Sequence, residues 1–146
     1  FELPSRRGCA LTFGKKLQPM RYHRYCSDAI SPFTGERYGI FVAVWHLVRD
    51  RKVTEGEEAE YWQHRVWFEE NLPLPPFYSD GNPRRAITWF KDGVMGHPTI
   101  TRLSFYLEIA ARYQLEISLE STSAPGEIIY EDDFQIAAIR TKATEQ

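Results

Sequence analysis

The stretch Leu72–Pro83, LPLPPFYSDGNP, limits what this chain can fold into more than any other. Pro73, Pro75, Pro76 and Pro83 each lack an amide donor and fix their own φ, so neither a helix nor a central strand can run through them. Ser79-Asp80-Gly81-Asn82 reads as a turn. The chain of 146 residues suits one domain. The expectation is therefore a single α+β domain over 1–146. It has an aromatic-rich helical-hairpin half in about 1–72, a Pro-rich connector at 73–83 pinned by Phe77 and Tyr78, and a β-α-β-β half at 84–140, with a mixed sheet.

Before the break, the clearest element is a helix from Thr54 to about Asn71. Thr54 and Glu57 have the spacing of a capping box, and Glu55, Glu57 and Glu58 load the first turn, where the helix dipole favours negative charge. Ala59, Trp62 and Val66 recur at helical spacing, with Tyr61 and Phe68 on an adjoining stripe. The apolar run Ile40–Val48 has the length and β-branching of a buried strand. A helix from roughly Glu36 to Arg51 is preferred, because Arg49, Arg51 and Lys52 suit a negative helix end. With so short a link, the two helices should form an antiparallel hairpin, which brings His46 and His64 within range of facing each other. Two histidines without a third ligand do not specify a metal site. Cys9–Phe13 reads as a short strand ending at Gly14, and Ser31–Gly39 as turns.

After the break, Ala86–Phe90 is a strand by propensity. Pro98–Tyr113 is a helix, with Pro98 in its first turn and a stripe of Ile100, Leu103, Leu107, Ala110 and Ala111. Leu115, Ile117 and Leu119 alternate with polar residues, as in a half-buried strand. A strand, a helix and a strand usually make a crossover between parallel strands. Glu127–Tyr130 and Phe134–Arg140 flank an acidic tip and read as a hairpin.

Bulk charge gives no reason to expect nucleic acid, since the net charge is -2. Its distribution is uneven. Arg6, Arg7, Lys15, Lys16, Arg21 and Arg24 face only Glu2 in the first 26 residues, whereas Glu127, Glu131, Asp132, Asp133 and Glu145 outnumber Arg140 and Lys142 at the other end. Aromatic residues make up 14% of the chain, enough to fill a core and leave some for a contact surface. Two cysteines, Cys9 and Cys26, do not make a disulfide scaffold; an oxidising compartment would allow one bridge, but two buried thiols and a cytoplasmic location are expected. No run approaches the ~20 apolar residues of a membrane span, and no secretory signal is recognisable. A membrane partner is not expected, and oligomeric state is left open.

Candidate binding residues come from two places. Arg21, Tyr22, Arg24 and Tyr25 interleave cations and rings, as a strand lining a phosphate or single-stranded nucleic-acid groove would. Alternation puts Tyr22 and Arg24 on one face and Arg21, His23 and Tyr25 on the other. Arg84 and Arg85, with Trp89, would extend that groove if the two clusters meet in space. Glu131, Asp132 and Asp133 are candidate ligands for a hard cation, although consecutive strand residues point to opposite faces. His97, beside Pro98 at the end of a strand, is the best-placed histidine. Gly93–Gly96 precedes a helix but lacks the spacing of a phosphate loop. Nucleophilic catalysis has no recognisable motif: there is no G-x-S-x-G, neither cysteine has a histidine context, and Ser104 falls within a helix. No cofactor is expected.

Ile87-Thr88-Trp89-Phe90-Lys91, followed after a helix by Pro125-Gly126-Glu127-Ile128-Ile129-Tyr130-Glu131-Asp132 with Gln135 and Ala137, resembles a pattern shared by small bacterial proteins of no assigned function. The resemblance covers roughly the last 60 residues. It implies a bacterial or mobile-element origin and assigns no residue a role. The sequence as a whole points first to a small non-catalytic protein that binds a protein partner, as a host-defence or counter-defence factor of a mobile element would. The alternatives are a nucleic-acid-binding module using the basic-aromatic stretch, and a metal-dependent hydrolase or nuclease using the acidic tip.

Overall fold

A computed structural model describes residues 20–140; Cys9–Phe13 and the cations Arg6, Arg7, Lys15 and Lys16 lie outside them. The described residues form a single-domain α+β fold. The strands are β1 (Tyr22–Ile30), β2 (Arg37–Gly39), β3 (Ile87–Lys91), β4 (Ile117–Thr122), β5 (Glu127–Glu131) and β6 (Gln135–Ile139). The helices are α1 (Ile40–Arg49), α2 (Glu55–Asn71), the single turn α3 (Pro98–Thr101) and α4 (Ser104–Arg112).

The basic-aromatic stretch is the central strand. β1 pairs with β4 along Tyr22–Ser27. On its other edge it meets β3 at Tyr22 and His23, then β2 from Cys26 to Ile30. β3 continues to β6, and β6 to β5. Every pairing is antiparallel, so the sheet expected to be mixed is not. β3 and β4 do run parallel to each other, as a strand-helix-strand unit should, but β1 lies between them. Two residues opposite each other across a ladder share a face. His23, Tyr25, Phe90, Ser121 and Ala137 therefore lie on one side, and Tyr22, Arg24, Trp89, Lys91 and Ile136 on the other.

The helices cover the first face. Ile40, Val44 and Val48 of α1, Tyr61 and Phe68 of α2, and Phe105, Tyr106 and Ile109 of α4 close over Phe90, with Tyr25 and Ile117 at the margin. Each fully buried side chain of this size stabilises the fold by about 1.5–3 kcal/mol. Phe41 of α1 meets Phe68 and Tyr106 edge-on, at 5.2 and 5.0 Å. Since Trp45 meets Tyr61, the two helices run antiparallel. The opposite face carries a smaller cluster of Trp89, Ile136 and Ala138, with Tyr22 and Ile87 against it.

Three elements differ from expectation. α1 begins at Ile40 rather than near Glu36, because Arg37–Gly39 is taken up as β2. The helix expected over Pro98–Tyr113 is interrupted at Arg102 and Leu103. Leu103 there turns into the core, and the Arg102 guanidinium lies 4.3 Å over Trp67. In β4, Ile117 packs against the core but Leu119 is 49% exposed, beyond the reach of the helices. Within the connector, Pro76–Asp80 forms a 3-10 turn. Tyr78 bonds Thr88 of β3, and Phe77 meets Tyr130 of β5 edge-on at 6.4 Å.

Candidate functional site

α2 is positioned by its own start. Thr54 Oγ1 accepts from the Glu57 amide at 3.1 Å, and Glu57 Oε1 accepts from the Thr54 amide at 2.8 Å, closing the capping box. That fixes where the helix begins, and two apolar stripes run along it. The Tyr61–Phe68 stripe enters the core. The Ala59–Trp62–Val66 stripe faces away from it, with Trp62 41% and Val66 46% exposed. Val42 of α1, 42% exposed, is a further apolar residue on the outside of the hairpin.

A ring cluster joins this stripe to α1. Trp45 lies 6.2 Å from Tyr61, nearly parallel to it, and 6.0 Å from Trp62, edge-on. The Arg65 guanidinium covers both indoles, 5.6 Å from Trp45 and 5.2 Å from Trp62. It is held there by Glu69 at 3.2 Å and by the Tyr61 hydroxyl. Such cation-ring contacts are worth roughly 0.5–1 kcal/mol when exposed. They favour the observed orientation of Trp62 over its alternatives without fixing it. α2 carries six glutamates against Arg65, of which Glu57 pairs with Arg112 of α4 and Glu69 with Arg65 itself.

Of the residues singled out from the sequence, Arg24 and Trp89 meet beneath the surface and the others are dispersed. Arg24 is buried. Its Nη2 donates to the Arg37 carbonyl at 2.6 Å, its Nη1 lies 3.3 Å from Glu120, and its guanidinium sits 5.6 Å over Trp89. Trp89 is itself 1% exposed. Tyr25 packs against the helical core. Tyr22 lines an open surface groove of about 490 Å³ with Met20 and Ser123–Ile128. Arg21 is exposed at the start of β1, where its carbonyl accepts from the Asp92 amide. Arg84 and Arg85 stand at the other end of β3, on the order of 20 Å away by strand rise. Arg84 lies 3.7 Å from Glu127, and Arg85 over the Phe33 ring. The two basic clusters do not meet in one groove.

The acidic tip is likewise not gathered. Glu131 pairs with Lys91 at 2.5 Å. Asp132 accepts from the Phe134 and Gln135 amides through Oδ1, and from the Tyr130 hydroxyl and the Gln135 side chain through Oδ2. Burial raises its pKa, but these four donors outweigh it and the net shift is downward. Asp133 is exposed. Among the described residues no group of three or more histidines, cysteines, aspartates or glutamates could hold a metal ion. His64 stacks on Phe105 at 4.4 Å and His46 meets Tyr38 at 4.9 Å, so the two histidines have separate partners. His97 meets Phe134 edge-on. Cys26 is a free, buried thiol.

One arrangement had no local signal in the sequence. His23 of β1 lies opposite Ser121 of β4. Its Nδ1 is 2.7 Å from Ser121 Oγ and its Nε2 is 2.6 Å from Asp92 Oδ1. His23 is buried, Ser121 half-buried, and the Asp92 side chain 62% exposed. Only the strand register brings these three together. Comparison of the chain with protein families, curated proteins and solved structures returns no match.

Proposed function

We propose that this protein is an interaction module that binds a protein partner through the outer face of its helical hairpin. The carrying observation is the outward apolar stripe of α2, Ala59–Trp62–Val66, beside a core that the adjoining stripe already completes. A solvent-facing Trp braced by Arg and Tyr is the residue combination that concentrates binding energy at interfaces. The glutamates of α2 set the partner's chemistry: a segment with an apolar anchor for the Trp62–Val66 surface, flanked by lysine or arginine.

The test is cross-linking mass spectrometry on complexes captured from cells of the source organism, run with the wild-type chain and with Trp62→Ala/Val66→Ala. The expected result is a partner cross-linked from α2 through a basic segment, captured at least ~10-fold less by the double variant, with tighter capture at low salt. Undiminished capture by a folded double variant overturns the assignment of this face.

A further inference from the structure

The Ser121–His23–Asp92 arrangement carries chemistry that the binding surface does not use. We propose that Ser121 is a nucleophile, with His23 as its base and Asp92 as the residue that positions His23, acting on uncharged carboxylic esters.

The protonation pattern follows from the partners. An ionised carboxylate only accepts, so at 2.6 Å from Asp92 the His23 Nε2 carries the proton. The other nitrogen, Nδ1, then presents its lone pair to the Ser121 hydroxyl 2.7 Å away. A hydroxyl donating to a neutral imidazole, which in turn donates to a carboxylate, is the arrangement that activates a serine; it is recognised by roles and distances rather than by sequence order. The three residues sit on rigid elements. Ser121 and His23 face each other across a ladder, and the Asp92 backbone is held by its amide N–H donating to the Arg21 carbonyl at 3.1 Å.

Access and substrate class follow from β4, which has β1 as its only partner among the described residues. Ser121 keeps partial exposure. Leu119, two residues earlier on the same face and 49% exposed, offers an apolar surface beside it. An uncharged acyl or aryl group fits that surface better than an ionic one.

The chemistry balances without a cofactor. The Ser121 oxygen bonds to the ester carbonyl carbon as the bond to the alcohol oxygen breaks. The hydroxyl proton passes to His23 Nδ1 and on to the departing alcohol. Water then attacks the acyl-enzyme and gives its proton to Nδ1, and the proton returns to Ser121 as the acid leaves.

The experiment treats the full chain with a fluorophosphonate probe and maps the label, then follows hydrolysis of 4-nitrophenyl butyrate. The expected result is a label on Ser121, absent from Ser121→Ala. Asp92→Asn should lower kcat by ~100-fold or more with KM little changed, and Asp92→Glu should recover part of it. Circular dichroism verifies that each variant folds. No label on a folded wild-type chain, a label elsewhere, or turnover that survives Ser121→Ala overturns the proposal and leaves the trio as a structural hydrogen-bond chain.

Discussion

Glu57 Oε2 lies 2.6 Å from Arg112 Nη1, tying the first turn of α2 to the last turn of α4. The same carboxylate accepts from the Tyr113 hydroxyl and the Thr54 amide. These bonds, the Tyr113 hydroxyl foremost, hold the Glu57 pKa down at about 2, from an ordinary value of 4.5. A carboxylate depressed on folding contributes stability that is fully present above its unfolded pKa and is lost as pH falls through its folded one. Unfolding midpoints in urea should therefore fall between about pH 4.5 and pH 2. Glu57→Gln should be less stable than wild type at pH 7, and the gap should narrow across that window. A gap of equal size at pH 7 and pH 2 would show that this carboxylate does not drive the acid response.

Arg24 should be a stability residue rather than a surface contact. Its side chain is buried, its charge is answered by the partly exposed Glu120, and its second nitrogen donates to the Arg37 carbonyl. Removing one member of a buried charged pair typically costs about 3–5 kcal/mol. Glu120 is partly exposed and can rehydrate, so Arg24→Ala should cost about 3 kcal/mol, toward the low end. Arg24→Lys should recover little, since one ammonium cannot reproduce the fork that reaches both partners. Chemical denaturation of the two variants against Arg21→Ala, whose side chain is exposed, checks both statements.

The contrast between Glu57 and Arg24 explains what could be read from the chain. The Thr54–Glu57 box is a contact across three residues, so its spacing is visible in one dimension. The same holds for the end of α2 near Asn71 and for the two strands around the acidic tip. Arg24 meets partners 13 and 96 residues away, and next to Tyr22, His23 and Tyr25 its charge looks like a solvated or ligand-facing one. Nothing local says that two other strands will flank it. In α2 both apolar stripes have helical period, so periodicity establishes the helix but not which stripe enters the core. Ser121, His23 and Asp92 belong to three separate segments, each unremarkable alone. The Pro125–Gln135 pattern, by contrast, has structural reasons: Asp132 closes the turn, and the Gln135 side chain bonds both Asp132 and the Pro73 carbonyl of the connector.

That closure is testable at Asp132. Asp132→Ala leaves two backbone amides and the Tyr130 hydroxyl without their acceptor. At roughly 1 kcal/mol per bond net, and with partial access of water to the turn, the loss should be about 2 kcal/mol. The Tyr130 hydroxyl, whose pKa the neighbouring Asp132 carboxylate pushes up to about 12, should titrate lower in the variant. Ultraviolet titration of the tyrosines reports that shift, and urea denaturation reports the stability loss.

Two glycines should respond to alanine with opposite signs. Gly126, between Pro125 and β5, has φ +108, and a Cβ there would fall 2.1 Å from the Ile139 carbonyl oxygen. Both the backbone conformation and the contact oppose a side chain. Relief would require β5 to separate from β6 at the pair Glu127–Ile139. Gly126→Ala should cost about 3 kcal/mol or more. Gly56, in the first turn of α2, has nothing within 4 Å of a Cβ. Gly56→Ala should stabilise the chain by about 0.5 kcal/mol, through helix propensity and a less flexible unfolded state. Thermal melts of the two variants in one buffer should bracket the wild type. A Gly126→Ala chain that melts with the wild type would mean that the strand after Pro125 takes a different path from the one described.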